Sequence, residues 1–101
     1  MASTYYIGSE TELTVEFFDM DGSTPADPTV ATIKVRDPAG VETSHVYGVD
    51  VNVVKESVGV YHLDQVLDQA GTWFYRGIGT GAVVAAGEKF LRVQPTSFTS
   101  P

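Results

Sequence analysis

Chemistry could reside at three places in this 101-residue chain: two histidines, three aspartates grouped around a glycine, and a glycine-rich run near residue 80. Asp19, Asp21 and Asp27 lie around Gly22. A hard cation needs several carboxylates and carbonyls converging on one loop, so these three are the candidate calcium ligands. Their spacing is a fragment of a calcium loop, and the same residues are good turn formers, so the segment reads first as a solvated turn. His45 and His62 have no second ligand and no nucleophilic serine at a recognisable spacing, which leaves them as strand residues. Gly77-Ile78-Gly79-Thr80-Gly81-Ala82 matches the pattern Gly-x-Gly-x-x-Ala. No amphipathic helix follows it, and too little chain remains for a dinucleotide-binding unit. It reads as a hairpin or bulge loop whose glycines take positive φ and leave a mobile tip. No acidic pair, phosphate cradle or nucleophile elbow is present, so the expectation is a non-enzymatic protein without a cofactor.

The composition narrows the role further. Cysteine is absent, which removes disulfides, thiolate metal sites and cysteine nucleophiles, and suits a reducing compartment. Six Lys and Arg against thirteen Asp and Glu give a formal charge of −7. That balance argues against nucleic acid or an anionic membrane as the main partner. The first residues have neither a basic segment nor an apolar one, and no apolar run approaches the roughly 20 residues that span a bilayer. Synthesis in a cytoplasm is expected.

Short segments of alternating apolar and polar residues, each closed by turn residues, must position whatever the chain does. They indicate an all-β antiparallel sandwich of seven to eight strands. The segments are Thr4 to Ile7, Glu10 to Phe18, Val30 to Arg36, Val41 to Tyr47, Val51 to Lys55, Val60 to Gln65, Thr72 to Ile78 and Glu88 to Val93. Asp37-Pro38-Ala39-Gly40 has Pro second and Gly fourth, as a type I turn prefers. Val60, Leu63, Leu67 and Ala70 also fit helical spacing, so a helix over 60 to 70 is the local alternative. One domain over residues 1–94 is expected, with 95–101 as a flexible tail rich in hydroxyls and proline.

The run Leu67-Asp68-Gln69-Ala70-Gly71-Thr72-Trp73-Phe74-Tyr75 resembles the approach to strand F of immunoglobulin-like domains, where a tyrosine corner precedes a disulfide cysteine. Trp73 stands at the place of that tyrosine and Tyr75 at that of the cysteine, leaving an aromatic plug in the core. The fuller order is a strand ending in Asp-x-Asp-Gly, one ending in Asp-Pro-x-Gly, then Gly-Val-Tyr-His and Gly-Thr-Trp-x-Tyr-Arg. Over residues 8 to 93 it resembles small Ig-like virion proteins of tailed bacteriophages. The resemblance implies a structural protein of the head, neck or tail, made in the host cytoplasm and built into the virion.

Ig-like strand order would set residues 30 to 36, 72 to 78 and 88 to 93 side by side. Their outward parity then gathers Lys34, Arg36, Phe74, Arg76, Ile78, Phe90 and Arg92 on one face, with Lys89 nearby. The other sheet would turn Glu10, Glu12, Glu16 and Asp64 outward, with Asp68 at its margin. Aromatic and Arg residues are enriched at interface hot spots, and opposed charge orients association. The expected partners are therefore other virion proteins or copies of the chain itself, including as a homo-oligomer. The alternative is a module that binds a carbohydrate or receptor through the loops at 19 to 28 and 79 to 87.

Overall fold

The computed structural model describes residues 3–95. Eight strands form: β1 (Ser3–Tyr6), β2 (Glu10–Glu16), β3 (Val30–Arg36), β4 (Glu42–Val46), β5 (Val53–Ser57), β6 (Val60–Val66), β7 (Gly71–Thr80) and β8 (Ala85–Gln94). They make a five-stranded sheet in the order β1-β8-β7-β3-β4 and a three-stranded sheet in the order β2-β6-β5. β1 runs parallel to β8, and the other pairings are antiparallel. The two sheets close on one core, so the molecule is an all-β sandwich.

Period-two patterning decides which face each strand buries. Leu13, Val15 and Phe17 meet Tyr61 and Leu63 within the smaller sheet, and across from them lie Ala31, Ile33, Val35, Trp73, Leu91 and Val93. These buried side chains are apolar or aromatic, and among the described residues no charged group is buried. Burying such a face at roughly 25 cal/mol per Å² is what holds two sheets without a disulfide. The helix considered for residues 60 to 70 does not form. Tyr61 and Leu63 are buried while Asp64 points out, and β6 is paired on both sides, by β2 and β5. Two partner strands satisfy its backbone groups better than a short isolated helix could.

Turns differ from the sequence expectation where a side chain closes them. The fifth strand begins at Val53, not Val51, because Asp50 accepts the Val46 amide at 2.7 Å and its carbonyl takes the Val53 amide. The Asp37–Gly40 turn forms with its closing bond from the Gly40 amide to the Asp37 carbonyl, 2.9 Å. Gly77 and Gly79 are not in a mobile tip. They lie buried inside β7, where a Cβ on Gly77 would sit 2.8 Å from Val15 Cβ and one on Gly79 2.9 Å from Pro28 Cβ. Their missing side chains let β2 and the segment before β3 come close. Of the glycines in that run, Gly81 alone takes positive φ, +87°.

Trp73 supplies the corner bond. Its indole Nε1–H donates to the Gln69 carbonyl at 3.0 Å, four residues upstream, while the ring is buried. Tyr75, at the cysteine-like position, is half-buried against the core. The C-terminal segment read as a flexible tail lies, apart from Pro95, outside the described residues.

Candidate interaction surface

The outer face of the five-stranded sheet is built by cross-strand register. Lys34 lies opposite Arg76, Arg36 opposite Phe74 and Thr32 opposite Ile78. On the other flank Phe74 lies opposite Phe90, Arg76 opposite Glu88 and Thr72 opposite Arg92. Lys34, Arg36, Phe74, Arg76, Ile78, Phe90 and Arg92 thus share one face of β3, β7 and β8. Phe74 and Phe90 are 44% and 46% exposed, and their ring centroids stand 6.4 Å apart with the planes tilted by 47°. A depression of about 510 Å³ runs along this face between Lys34, Arg36, Glu42, Phe74, Arg76 and Glu88.

Two carboxylates belong to the face that the sequence reading left out. Glu88 accepts from Arg76 Nη1 at 2.8 Å. Glu42 on β4 lies in register with Arg36. Four cations therefore face two carboxylates, and the surface stays positive on an acidic protein. Among the described residues, Lys34, Arg36 and Arg92 have no carboxylate within 4.0 Å. Lys34 directly opposite Arg76 is a like-charge pair, an arrangement that costs stability in an isolated sheet. Lys89 is not part of this face. Its parity turns it toward the smaller sheet, where Nζ reaches the Thr14 carbonyl at 3.4 Å.

The outer face of the smaller sheet carries the opposite sign. Glu10, Glu12 and Glu16 on β2 and Asp64 on β6 are exposed, and Glu12 lies opposite Asp64. Glu56 joins them from β5, beyond the register shift between Lys55 and Ser57. His62 sits among these acids, with Nδ1 3.2 Å from Glu56 Oε2 and Nε2 3.7 Å from Glu12 Oε2. Among the described residues this trio is the group whose possible ligand atoms come within 4.8 Å of one another. His62 Nδ1 is shielded from solvent, and its approach to Glu56 lacks the alignment of a hydrogen bond. Val54 and Val66, each nearly half exposed, lie on the same side.

The three loop aspartates do not converge on a common point. Asp21 accepts from the Thr24 hydroxyl and from the amides of Ser23 and Thr24, which holds its carboxyl down near about 2. Asp27 turns the other way and accepts from Lys55 Nζ at 2.7 Å, the Gly59 amide at 2.8 Å and the Tyr61 hydroxyl at 3.0 Å. Asp19 accepts the Met20 amide at its carboxylate, while its carbonyl takes the Gly22 amide that closes the turn. The two best-placed carboxylates are thus engaged in fastening the loop.

These bonds set a pH dependence. Asp21, Asp27 and Asp37 are all held below the ordinary carboxylate range, chiefly by Thr24, Lys55 and the Val41 amide respectively. A carboxyl whose folded pKa is depressed stabilises the fold above its unfolded value, about 3.9, and loses that contribution as pH falls through the folded value. Thermal unfolding midpoints should therefore drop between about pH 4 and about pH 2, and Asp27→Asn should flatten that limb. Tyr61 has the reverse sign. Burial, then the Asp27 carboxylate, pushes its phenol up to about 12, so its contribution is lost as pH rises from about 10 toward that value.

No protein-family model matches the sequence, and comparison with curated proteins returns no match. Among solved structures, the fold is similar to the crystal structure of the Lin-41 filamin domain, with a TM-score of 0.62 and 14% sequence identity. The superposition covers 91% of this chain and 83% of that one. At that identity the likeness concerns the architecture: the chain has an immunoglobulin-like β-sandwich fold.

Proposed function

We propose that this chain is a non-enzymatic interaction module, a virion component of a tailed phage at the head, neck or tail, which docks through the outer face of β3, β7 and β8. One observation carries the reading: four cations and the Phe74–Phe90 pair share a face of an otherwise acidic protein. Strand register fixes their places along the sheet, so docking orders side chains but no backbone. Aromatic side chains and Arg are enriched in protein interfaces, where a few well-packed residues carry most of the energy. The virion assignment rests on the order of turn and core motifs along residues 8 to 93.

The surface is tested by Phe74→Asp combined with Arg76→Glu. Both side chains are solvent-exposed, so the variant should keep the wild-type circular dichroism spectrum and most of its thermal stability. Its incorporation into assembled particles should fall at least about tenfold. Incorporation equal to wild type would remove this face from the interface. Ala82→Asp in the loop between β7 and β8 is the control and should incorporate normally.

A further inference from the structure

We infer that the docking face takes, as its partner, the outer face of the three-stranded sheet of a second copy of this chain, packing copies head to tail. The inference rests on the proposed docking role and adds the identity of the occupant. Charge complementarity carries it. Lys34, Arg36, Arg76 and Arg92 stand on one side of the sandwich, and Glu10, Glu12, Glu16, Glu56 and Asp64 on the other. Among the described residues no Lys or Arg shares the acidic face, because Lys55, the one basic residue of β5, turns away to Asp27. Each face also presents two half-exposed apolar side chains, Phe74 and Phe90 against Val54 and Val66. Val54 opposite His62 on edge strand β5 and Val66 opposite Glu10 at the end of β6 lie apart, so a sheet-on-sheet contact would cover the Phe74–Phe90 pair and these separate valines while opposite charges meet between them.

The two faces differ, so the contact is heterologous, and a docked pair still presents one free basic and one free acidic face. Such a contact propagates into a ring or an open stack and does not stop at a two-fold dimer. The overall charge of −7 opposes association at long range. At physiological ionic strength the Debye length is about 8 Å, which screens the distant charges but not the facing layers. Association should therefore appear near physiological salt and weaken at high salt.

The experiment is sedimentation velocity of the purified protein near physiological salt and at high salt, with two variants. Phe74→Ser with Arg76→Gln removes one cation and one ring from the basic face, and Glu12→Gln with Asp64→Asn removes two of the five carboxylates from the acidic one. Neutral replacements keep the two altered faces from attracting each other. Wild type should form species larger than a dimer, and each variant alone should associate at least about tenfold more weakly. An equimolar mixture should give chiefly a one-to-one dimer, since each variant supplies one intact face and any further contact must use a weakened one. A wild-type monomer at all concentrations, or association that the acidic-face variant leaves intact, overturns the inference. Particle incorporation separates the two ideas. If the acidic-face variant incorporates normally and the basic-face variant does not, docking stands and the second copy falls. If both incorporate normally, docking falls too.

Discussion

Phe17→Ala should lower the free energy of unfolding by about 3–5 kcal/mol, a large part of the 5–15 kcal/mol that stabilises a domain of this size. Phe17 is 1% exposed and packs edge-on to Tyr61, with ring centroids 5.7 Å apart. It also packs over Gly79, where a Cβ would lie only 3.1 Å from the Phe17 ring. Removing the ring opens a cavity beside Tyr61 and Gly79, where the two sheets and Pro28 come together. Denaturant titration measures the effect as a lower midpoint at unchanged slope. A loss under about 1 kcal/mol would mean that the site repacks or that Phe17 is not enclosed.

Gly59→Ala is the second large effect, and its cause is backbone rather than core. Gly59 has φ of +75°, its amide donates to Asp27 and its carbonyl accepts from the Phe17 amide at 2.7 Å. A Cβ there would lie 2.6 Å from the Phe17 carbonyl oxygen and 2.9 Å from the Ala26 nitrogen. Neither atom is a flexible side-chain end, so the β5–β6 turn must move. Gly22 provides the matched comparison, since it has the same φ of +75° with open space where its Cβ would go. Gly22→Ala should cost about 1 kcal/mol, the left-handed backbone strain alone, and Gly59→Ala at least about 2 kcal/mol more. Equal costs at the two positions would show that the turn yields freely.

Much of this architecture was readable because alternation is a local property. Val30 to Arg36 names its own buried and exposed residues, and the same parity in β7 and β8 determines which of their side chains share a face once the strands are neighbours. Glu88, two residues before Phe90, was open to the same reasoning and belongs to that face by parity alone. Glu42 was not, because β4 has few apolar residues to show which way it turns. Glu56 was also hidden, since a register shift interrupts the alternation of β5 beside it. Gly77 and Gly79 illustrate the opposite difficulty. Glycine signals a turn locally, but here close approach of Val15 and Pro28 from distant segments requires it. The direction of Asp27 likewise depends on Lys55, Gly59 and Tyr61, about thirty residues away in sequence, and no loop motif encodes that.

Hydroxyl-radical footprinting of the protein, free and in the assembly it enters, tests the docking surface most directly. Phe74 and Phe90 report on the outer face of β7 and β8, while Met20, fully exposed in the loop after β2, reports on the opposite possibility of loop-mediated recognition. The proposed docking predicts that oxidation of both phenylalanines falls severalfold on assembly while Met20 reacts as before. Protection of Met20 with Phe74 and Phe90 unchanged would contradict it, and would assign binding to the loops.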